Sequence, residues 1–593
     1  MPQDGEKPSG EAAAIAPVSH RPGRQLGKLA SRDGEAGQRR ARAFAKGRQV
    51  DPKALAELDW LLEDRPKSRD QLIEHLHAIQ DHYGHLSARH LAALAHLMRL
   101  PMAEVYEVAT FYAHFDVVKE GEEAPGLTIR ICDSLSCQMN GAEAIIADLQ
   151  ANPPAGRRVL RAPCMGACDK GPVVAYGRTQ LTGCTAEMLR AGGPFPLPET
   201  VPYDELDAYI EGGGYALLHD LREGRLTADA IIEQLGAAGL RGLGGAGFPT
   251  DRKWALVRAQ PGPKYLAINA DEGEPGTFKD RFYMERDPHR LFEGMLIAAT
   301  VTGCDDIYLY LRDEYPHLRA TLATELHHLR ESGIPGDIRI HLRRGAGAYI
   351  CGEESAMIES IEGKRGLPRH RPPYVAEKGL FGRPTLVNNV ETLFWVRDIL
   401  QDGPDWFAGL GRRGHKGIRA FSVSGRVREP GVKLAPAGIT ARELIEEYCG
   451  GMADGHSFKA YLPGGASGGI LPASLADIPL DFGTLAEHDS FVGSHAVIIL
   501  SDKDNVADAA LNLMRFFAHE SCGQCTPCRL GTEKAAALMA ERQWDEMLLG
   551  DLAQAMRDAS ICGLGQAAPN PMTSVLKFFP DDIAQRDSAG REP

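Results

Sequence analysis

Eight of the twelve cysteines fall into two sets whose spacings are typical of iron–sulfur ligands. The carboxyl-terminal set begins with a C-x2-C-x2-C triplet in ESCGQCTPCRLG and ends with one cysteine far downstream in SICGLGQ. Such a triplet covers one face of a four-iron cubane, and a remote fourth thiolate completes its ligation. Zinc sites more often consist of two C-x2-C pairs, so this spacing favours a [4Fe-4S] cluster. The predicted ligands are Cys522, Cys525, Cys528 and Cys562.

The amino-terminal set combines a C-x4-C pair with a C-x3-C pair in the segment PCMGAC. These loops are wider than the knuckles of structural zinc sites, and they suit thiolates that reach the two irons of a [2Fe-2S] cluster. Gly166, inside the second pair, lets the backbone approach inorganic sulfide. The spacing favours iron–sulfur over zinc, and the predicted ligands are Cys132, Cys137, Cys164 and Cys168.

The other cysteines and a group of histidines have no predicted role. The four single cysteines lie in apolar or glycine-rich stretches, where a small buried hydrophobe is the expected function; they are Cys184, Cys304, Cys351 and Cys449. Six histidines near the amino terminus do not converge on one helix face, so we expect them to be solvated; they are His75, His77, His82, His85, His90 and His96.

A glycine-rich segment, RGLGGAGFPTDRKW, contains the dinucleotide-binding pattern G-x-G-x-x-G at Gly242, Gly244 and Gly247. Asp271 follows at the distance expected of a ribose-binding acid. The pattern requires a strand before the glycines, whereas ADAIIEQLGAAGL has the period of a helix. We therefore predict only a glycine-lined loop whose N–H groups approach a phosphate or an isoalloxazine ring, with Lys253 nearby as a point charge.

Acidic and amide side chains follow predicted strands in the same region. The first group comes directly after the strand YLAIN, at the edge where α/β sheets bind ligands, and comprises Asn269, Asp271, Glu272 and Glu274. Later segments add Glu353, Glu354, Asn388 and Asn389. Carboxylates at such an edge suit sugar hydroxyls better than phosphates. Hydride chemistry linked to one-electron iron–sulfur centres requires a carrier that exchanges one and two electrons, so these residues predict a flavin site.

The composition excludes several classes of protein. Eighty acidic residues against 66 basic residues give a formal net charge of −14, which opposes binding to nucleic acid. No stretch approaches 18 consecutive apolar residues, and MPQDGEKPSG lacks the basic and apolar regions of an export signal. We therefore expect a cytoplasmic protein, with neither a membrane nor a nucleic acid as partner, in a reducing compartment where grouped thiols bind metals.

The period of the apolar residues changes along the chain and divides it into regions. A helical period near the amino terminus gives way to a period of two in LTIRIC, and strands alternate with helices in the middle of the chain. The predicted regions are a disordered basic tail (1–50), a helical bundle (51–120), a compact α/β unit (121–195), a linker (196–225), a layered α/β domain (226–412), a small β-rich unit (413–505), a helical region (506–580) and a tail (581–593).

The segments RGLGGAGFPT, NADEGEPGTFKDR, GAGAYICGEE, NNVET and ESCGQCTPCR resemble those of the NADH- and FMN-binding subunit of respiratory complex I and its relatives. Residues 55–195 are similar to the small [2Fe-2S] subunit of the same enzymes, here fused ahead of it. The resemblance implies a multidomain α+β and α/β fold. Its parts would be a helical bundle with a thioredoxin-like [2Fe-2S] domain, a Rossmann-like FMN/NADH domain, a small β-grasp-like (ubiquitin-like) domain and a C-terminal helical [4Fe-4S] bundle.

The same resemblance assigns cofactor contacts to individual positions. Glu274 and Glu354 would position NADH, with Phe248 and Tyr374 as rings against the nicotinamide or adenine, and Cys351 would lie beside the flavin. The residues that would hold FMN are Gly242, Gly244, Gly245, Lys253, Asn269, Asp271, Tyr349, Gly352, Glu353, Asn388 and Asn389. Gly247 and Glu272 complete the predicted cofactor-binding set. No side chain is predicted to act as acid or base, because the flavin carries out the hydride transfer.

Longer stretches, among them KGRQVDP, LIEHLHAIQDHYG and YLPGGASGGILPAS, look most like the β subunit of NAD-linked formate dehydrogenases. This likeness implies a hetero-oligomer in which a large molybdopterin α subunit, with molybdenum or tungsten and further iron–sulfur clusters, oxidises formate. All eight cluster cysteines are present here, whereas hydrogenase relatives can lack part of the [2Fe-2S] set. The alternatives are a subunit of a respiratory NADH:quinone oxidoreductase, the diaphorase subunit of an NAD-reducing hydrogenase, and a non-enzymatic cluster- or zinc-binding scaffold or redox sensor.

Overall fold

The computed structural model describes residues 49–193, 195 and 201–588. The basic tail predicted for residues 1–50 lies outside them except for its last two positions. Within the described part of the chain, no helix is both long enough and apolar enough to cross a membrane.

The first described helices form a bundle around apolar residues at helical spacing. Asp51 caps the first helix by accepting a hydrogen bond from the backbone N–H of Lys53 at 2.8 Å. Leu58, Leu76 and Leu94 are fully buried in the bundle. The elements are α1 (Pro52–Leu61), α2 (Leu72–Tyr83), β1 (Leu86–Ser87), α3 (Ala88–Leu97), α4 (Met102–Phe111) and β2 (Val117–Val118), and β1 pairs with β2 in parallel.

Three of the six histidines of this bundle are buried, which corrects the expectation that all are solvated. His75, His77 and His90 are at most 2% exposed. The Nε2 atom of His77 lies 2.8 Å from the carbonyl oxygen of Gly345, far along the chain, and burial lowers the pKa of His77 to about 3. The expectation was wrong because the helical period shows which face of a helix is apolar but does not show which other segments pack against its histidines.

A four-stranded mixed sheet forms the thioredoxin-like domain. Its elements are β3 (Leu127–Cys132), α5 (Leu135–Met139), α6 (Ala142–Ala151), β4 (Arg157–Ala162), β5 (Val173–Tyr176), β6 (Thr179–Thr182) and α7 (Ala186–Ala191). The strand order is β4-β3-β5-β6, with β3 parallel to β4 and antiparallel to β5. Ile129 and Ile131 are fully buried, and the strand ends at the buried Cys132.

The segment 196–225, expected to be a linker, contains two helices that pack into the following domain. These are α8 (Leu206–Glu211) and α9 (Ala216–Arg222). Leu206, Tyr209 and Tyr215 are buried there, and the Tyr209 hydroxyl donates to Glu293 Oε2 at 2.7 Å. Only part of the segment is therefore a connection, because its glycines and prolines flank apolar residues that the next domain buries.

Four parallel strands form the sheet of the Rossmann-like domain. As expected, a helix and not a strand precedes the glycine-rich loop. The elements are α10 (Ala228–Ala238), α11 (Thr250–Arg258), β7 (Lys264–Ala270), α12 (Lys279–Arg286), α13 (Pro288–Thr302), β8 (Cys304–Leu311), α14 (Pro316–Glu331), β9 (Arg339–Arg344), α15 (Glu354–Ile361), β10 (Thr385–Asn389), α16 (Val390–Phe394), α17 (Val396–Asp402) and α18 (Pro404–Gly409). The strand order is β10-β7-β8-β9. Strand β7 buries the apolar residues Leu266, Ala267, Ile268 and Ala270, as expected of a parallel sheet covered by helices.

A five-stranded mixed sheet forms the small β-grasp-like domain. Its elements are β11 (Ile418–Gly425), β12 (Gly431–Pro436), α19 (Ala441–Glu443), β13 (Phe458–Leu462), β14 (Leu471–Pro472) and β15 (Ala496–Ser501). The strand order is β12-β11-β15-β13-β14, and β11 is parallel to β15. A capping box between Thr440 and Glu443 begins α19.

The last described region is helical and continues into the segment expected to be a tail. Its helices are α20 (Val506–Glu520), α21 (Thr526–Ala540), α22 (Glu546–Ala559), α23 (Gly563–Ala567), α24 (Asn570–Phe578) and α25 (Pro580–Ser588). Asp582 is 4% exposed, and it accepts hydrogen bonds from Lys459 Nζ at 2.8 Å and the Val506 N–H at 2.6 Å. The part of the predicted tail that the structure describes is therefore a packed helix.

Candidate flavin and iron–sulfur sites

A cavity of about 510 Å³ lies beside the ends of β7 and β10, and residues from three regions of the chain line it. Its volume is within the range of cofactor sites. The α/β domain provides its polar floor, whereas the β-grasp-like domain and the C-terminal helices provide other walls. Of the residues predicted from the sequence, those that line it are Gly244, Gly245, Asn269, Asp271, Glu272, Glu274, Tyr349, Gly352, Glu353 and Asn389.

The parallel pairing of two strands brings the predicted asparagines together. In the register of β7 and β10, Asn269 lies opposite Asn389. Asn269 donates to the Gly352 carbonyl at 2.8 Å and accepts from the Asp271 N–H at 3.1 Å. Asn389 donates to Asp280 Oδ2 at 2.6 Å and accepts from the Glu391 N–H at 3.0 Å. The carboxyl-terminal edge of the sheet thus holds both amides in fixed orientations, as α/β ligand sites require.

Asp271 provides a direct test of whether a flavin fits this cavity. Its Oδ2 atom is buried and has no hydrogen-bond partner among the described residues, and burial raises the pKa of its carboxyl well above the ordinary value. Buried polar atoms without partners are rare, and a hydroxyl or ring N–H of a bound ligand would satisfy this one. The donor set and the cavity therefore fit a flavin with its ribityl chain.

The glycine-rich loop forms another part of the cavity wall. Gly242 donates its N–H to the Phe248 carbonyl at 2.8 Å and closes the loop. A Cβ atom at Gly244 would lie 3.0 Å from the Asn389 Cβ, and one at Gly247 would lie 2.5 Å from the Phe482 ring. Larger residues are therefore disfavoured at these two positions, and the glycine backbone is free to approach a ligand in the cavity.

Glu274 joins the α/β domain to the β-grasp-like domain inside the cavity. Its carboxylate accepts from the Ser467 N–H at 2.8 Å and from the Tyr349 hydroxyl. Burial raises its pKa despite these hydrogen bonds. Glu274 is thus a fixed acceptor in the cavity, held from two sides.

Seven predicted cofactor residues are not among those that line this cavity. Lys253 donates to the Val387 carbonyl at 2.9 Å and lies 3.7 Å from Glu354, and Asn388 accepts from the Trp254 indole at 3.0 Å. Both side chains therefore hold neighbouring elements in place. Phe248 and Tyr374 are 45% and 56% exposed. The full set is Gly242, Gly247, Phe248, Lys253, Glu354, Tyr374 and Asn388.

Other lining residues were missed by sequence reasoning. Lys279 and Asp280 follow the acidic motif directly in NADEGEPGTFKDR, so their position in that motif was an available signal. Lys279 is fully buried, and its Nζ lies 2.8 Å from Asp280 Oδ1 and 2.9 Å from Glu391 Oε2. Ser467 and Gln566 lie in the quoted segments YLPGGASGGILPAS and SICGLGQ, but these segments do not predict a place at the cavity, to which the tertiary packing brings them.

The four carboxyl-terminal cysteines surround a second, small cavity. Cys522, Cys525, Cys528 and Cys562 all line it, and burial raises the pKa of Cys528 to about 11 and that of Cys562 to about 12. Four thiols around one cavity suit a multi-iron cluster, and the set fits [4Fe-4S].

The two cavities are neighbours. Ile350 and Leu564 line both the large cavity and the cysteine-lined cavity. Ile350 precedes the buried Cys351, and Leu564 lies at the start of α23, two residues after Cys562. The walls that separate the two sites therefore include apolar side chains.

The amino-terminal cysteines also converge, and all four are buried. The Sγ atoms of Cys164 and Cys168 lie 3.2 Å apart, and the Gly166 N–H donates to Cys164 Sγ at 3.4 Å. Hydrogen bonds from Cys132 and Cys168 hold the pKa of Cys164 well below its usual value, and the charge of Arg312 acts in the same direction. A compact, buried set of four sulfurs with a backbone donor fits a [2Fe-2S] cluster.

Three protein families match consecutive parts of the chain. Residues 58–191 match the thioredoxin-like [2Fe-2S] ferredoxin family. Residues 235–398 match the Nuo51 FMN-binding domain, and residues 508–586 match the iron–sulfur binding region of NADH-ubiquinone oxidoreductase-F. Each match contains or adjoins one of the sites described above.

Two curated relatives show the family to which the chain belongs. The F 2 subunit of NADH-quinone oxidoreductase from Rhizobium meliloti (strain 1021) is 42% identical over 389 residues, which are 63% of this chain and 92% of the relative. The corresponding F subunit from Aquifex aeolicus (strain VF5) is 40% identical over 393 residues, 64% of this chain and 90% of the relative. The chain belongs to the family of NADH-quinone oxidoreductase F subunits.

A solved structure of related architecture extends the comparison. A chain of an NAD+-reducing [NiFe]-hydrogenase in the air-oxidised state matches with a TM-score of 0.77 and 32% identity, covering 88% of this chain and 94% of its own. As a member of the F-subunit family with a fused thioredoxin-like domain, this protein is an NADH-dehydrogenase-type oxidoreductase subunit. It carries an FMN-binding domain with NADH binding and domains for one [2Fe-2S] and one [4Fe-4S] cluster.

Proposed function

We propose that this chain is the NAD-reducing subunit of a formate dehydrogenase. In this proposal, formate is oxidised on a separate large molybdopterin subunit that carries further iron–sulfur clusters, and the electrons reach NAD+ through this chain. The electron route is supported by the closeness of the predicted flavin cavity and the four-cysteine cavity, because Ile350 and Leu564 line both.

FMN, when bound, exchanges a two-electron hydride with one-electron iron–sulfur centres. The chain's own residues bind and orient the reactants. We assign Asp271 and Asn269 to flavin polar groups and Glu274 to NADH, because these acceptors line the cavity and are held by neighbouring groups. We retain Phe248 and Tyr374 as candidate rings for the nucleotide, because both side chains are exposed and can still contact a ligand. Fixed geometry of this kind supplies orientation and not acid–base chemistry.

The choice of formate dehydrogenase is supported by the complete set of eight cluster cysteines and by stretches such as YLPGGASGGILPAS, which look most like the β subunit of those enzymes. A second candidate is the diaphorase subunit of an NAD-reducing hydrogenase, which the 88% coverage by such a chain favours. A third is a subunit of a respiratory NADH:quinone oxidoreductase, which the identity to the curated relatives favours. All three share the same NAD half-reaction and differ in the partner.

The test is to purify the chain with its native partners and to assay NAD+ reduction with formate and, separately, with H2. We expect formate-dependent NADH formation and a large molybdenum- or tungsten-containing partner in the same preparation. Activity with H2 alone would support the hydrogenase candidate, and recovery solely in a quinone-reducing complex would support the respiratory one. Either result would refute the formate proposal.

A further inference from the structure

We propose that the [2Fe-2S] site is completed by the α/β domain, whose Arg281 and Arg312 are positioning residues for the cluster-binding loop. The loop is the segment PCMGAC, which contains Cys164 and Cys168. The inference rests on the proposed function in one respect, which is that these cysteines bind the cluster. It assigns to the two guanidinium groups a part in setting the reduction potential of that cluster.

Arg312 lies at the carboxyl end of β8 and reaches the loop with a hydrogen bond. Its Nη2 donates to the carbonyl oxygen of Cys164 at 2.6 Å, and its Nη1 donates to the carbonyl of Glu272, a residue of the flavin cavity wall. The side chain is 3% exposed. The paired carboxylate is Glu314, 3.0 Å from Nη2. A buried cation is therefore bonded directly to the backbone of a predicted cluster ligand.

Arg281 approaches the same loop from α12. Its Nη1 donates to the Gly166 carbonyl at 2.7 Å, and its Nη2 lies 3.5 Å from Asp169 Oδ1. The side chain is 10% exposed. Its backbone N–H donates to Glu272 Oε2 at 3.2 Å, which fixes the start of the helix from which the guanidinium extends. Two carbonyls of one short loop thus each accept a hydrogen bond from a guanidinium of another domain.

Side chains of the α/β domain also confine the loop sterically. Gly166 has a φ of +69°, and a Cβ atom there would lie 2.0 Å from the Tyr315 hydroxyl oxygen. Phe278, which is fully buried, packs against Cys164 and Cys168. The α/β domain therefore provides hydrogen bonds, steric confinement and an apolar cover for the cluster loop.

The electrostatic consequence follows from the charge of the reduced cluster. A [2Fe-2S] cluster gains one negative charge when it accepts one electron, and net charge, hydrogen bonding and solvent exposure set its potential. Buried guanidinium groups beside the loop stabilise the more negative, reduced form. Removing Arg312 would also leave the Glu314 carboxylate without this cation, and this adds to the destabilisation of the reduced form.

The experiment compares the purified holoprotein with Arg312→Gln, Arg312→Lys and Arg281→Gln variants. The matched control is Arg286→Gln, because Arg286 lies on the same helix as Arg281 but packs on Phe282 and is 41% exposed. The cluster accepts one electron at a time from dithionite through redox mediators, and the [2Fe-2S] electron paramagnetic resonance signal reports its midpoint potential. Iron content per chain is measured on every sample.

We expect the midpoint to become more negative in both Gln variants, to lie closer to wild type in Arg312→Lys, which keeps the charge, and to stay unchanged in Arg286→Gln. Selective loss of the [2Fe-2S] iron in a Gln variant, with the [4Fe-4S] signal retained, also supports the inference. Wild-type midpoints in all variants that retain the cluster would overturn it. Absence of a [2Fe-2S] signal in the wild-type protein would instead refute the proposed ligands.

Discussion

At the scale of single residues, Asp271 and Glu272 show that neighbours in one motif have different roles. Asp271 presents to the cavity a buried oxygen that no described residue bonds. Glu272 accepts from the Asp280 N–H at 2.7 Å, the Arg281 N–H at 3.2 Å and the Tyr315 hydroxyl at 3.0 Å. Asp271 is therefore available to a ligand, whereas Glu272 mainly organises the protein around the cavity.

We expect Asp271→Asn to weaken FMN binding about tenfold, because the variant replaces a carboxyl oxygen in the cavity with an amide NH2 group that cannot accept a hydrogen bond from the ligand. The measurement is the dissociation constant of FMN from the quenching of flavin fluorescence on adding the deflavinated protein. Asp305→Asn is the control, since Asp305 is exposed at the start of β8. Equal affinities in wild type and Asp271→Asn would remove Asp271 from the flavin site.

The buried carboxyl of Glu272 is expected to make the free energy of unfolding depend on pH. Burial, together with repulsion from Asp280, raises the pKa of Glu272 to about 7. The fold therefore favours the protonated carboxyl, so its contribution to stability is fully present below about pH 4.3 and is lost as the pH rises through about 7. We expect the free energy of unfolding to fall more steeply over this range in wild type than in Glu272→Gln, by up to about 3 kcal/mol. Urea denaturation at a series of pH values measures this difference, and identical pH profiles would contradict it.

At the scale of elements, the site depends on how loops leave regular structure. The register of β7 and β10 places Asn269 opposite Asn389, and the loop after α10 folds back so that Gly247 donates to the Gly242 carbonyl at 3.2 Å. Gly247 has a φ of +64° and faces the Phe482 ring of the β-grasp-like domain. The loop therefore takes its shape partly from a domain that comes much later in the chain.

We expect Gly247→Ala to destabilise the protein by about 1–3 kcal/mol beyond the strain of a positive φ, because the added methyl group meets Phe482. Gly262→Ala is the matched control, since Gly262 also has a positive φ (+78°) but an added Cβ there would have no atom of the described residues within 4 Å. Thermal unfolding of the two variants separates the packing effect from the backbone strain. Equal losses of stability would show that Phe482 does not confine the loop.

At the scale of the whole molecule, the C-terminal helices bring the predicted [4Fe-4S] site next to the large cavity, which the α/β domain lines in part. Ile350 comes from the α/β domain and Leu564 from α23, and both line the two cavities. Tyr349 links the same domains, since its N–H donates to Glu520 Oε2 at 2.8 Å, close to the first cysteine of the triplet. This arrangement supports an electron route that passes through the C-terminal cluster. Because the cluster and the nucleotide have separate cavities, loss of the cluster is expected to leave the nucleotide site intact.

In the proposed formate dehydrogenase, we expect Cys528→Ala to abolish formate-dependent NAD+ reduction while NADH-dependent reduction of a small dye persists. The reason is that Cys528 lines the cluster cavity and not the large cavity. Cys449→Ala is the matched control, because Cys449 is a fully buried thiol of the β-grasp-like domain. Full formate activity in Cys528→Ala would place the cluster outside the route.

Local spacing in the sequence was enough to identify the types of the sites, because cofactor ligation requires particular residues at short separations. The C-x2-C-x2-C triplet, PCMGAC and the acidic segment after YLAIN each identify a site locally, and the apolar period identifies the helices and strands that carry them. The same period allowed the layered architecture to be predicted. Segments 201–225 and 581–588 were the exceptions, since contacts with distant elements bury Leu206, Tyr209 and Tyr215 in the first and Asp582 in the second.

Only the tertiary structure shows which residues share a site. Lys253 and Asn388 belong to predicted binding motifs, yet their side chains bond to Val387 and Trp254. Ser467 and Leu564 lie in segments that do not predict their contacts, and Arg312 lies in no quoted motif, yet they line the cavities or bind the cluster loop. The physical reason is that spacing along the chain fixes local geometry, whereas contacts between residues hundreds of positions apart arise only when buried surfaces of different domains pack together.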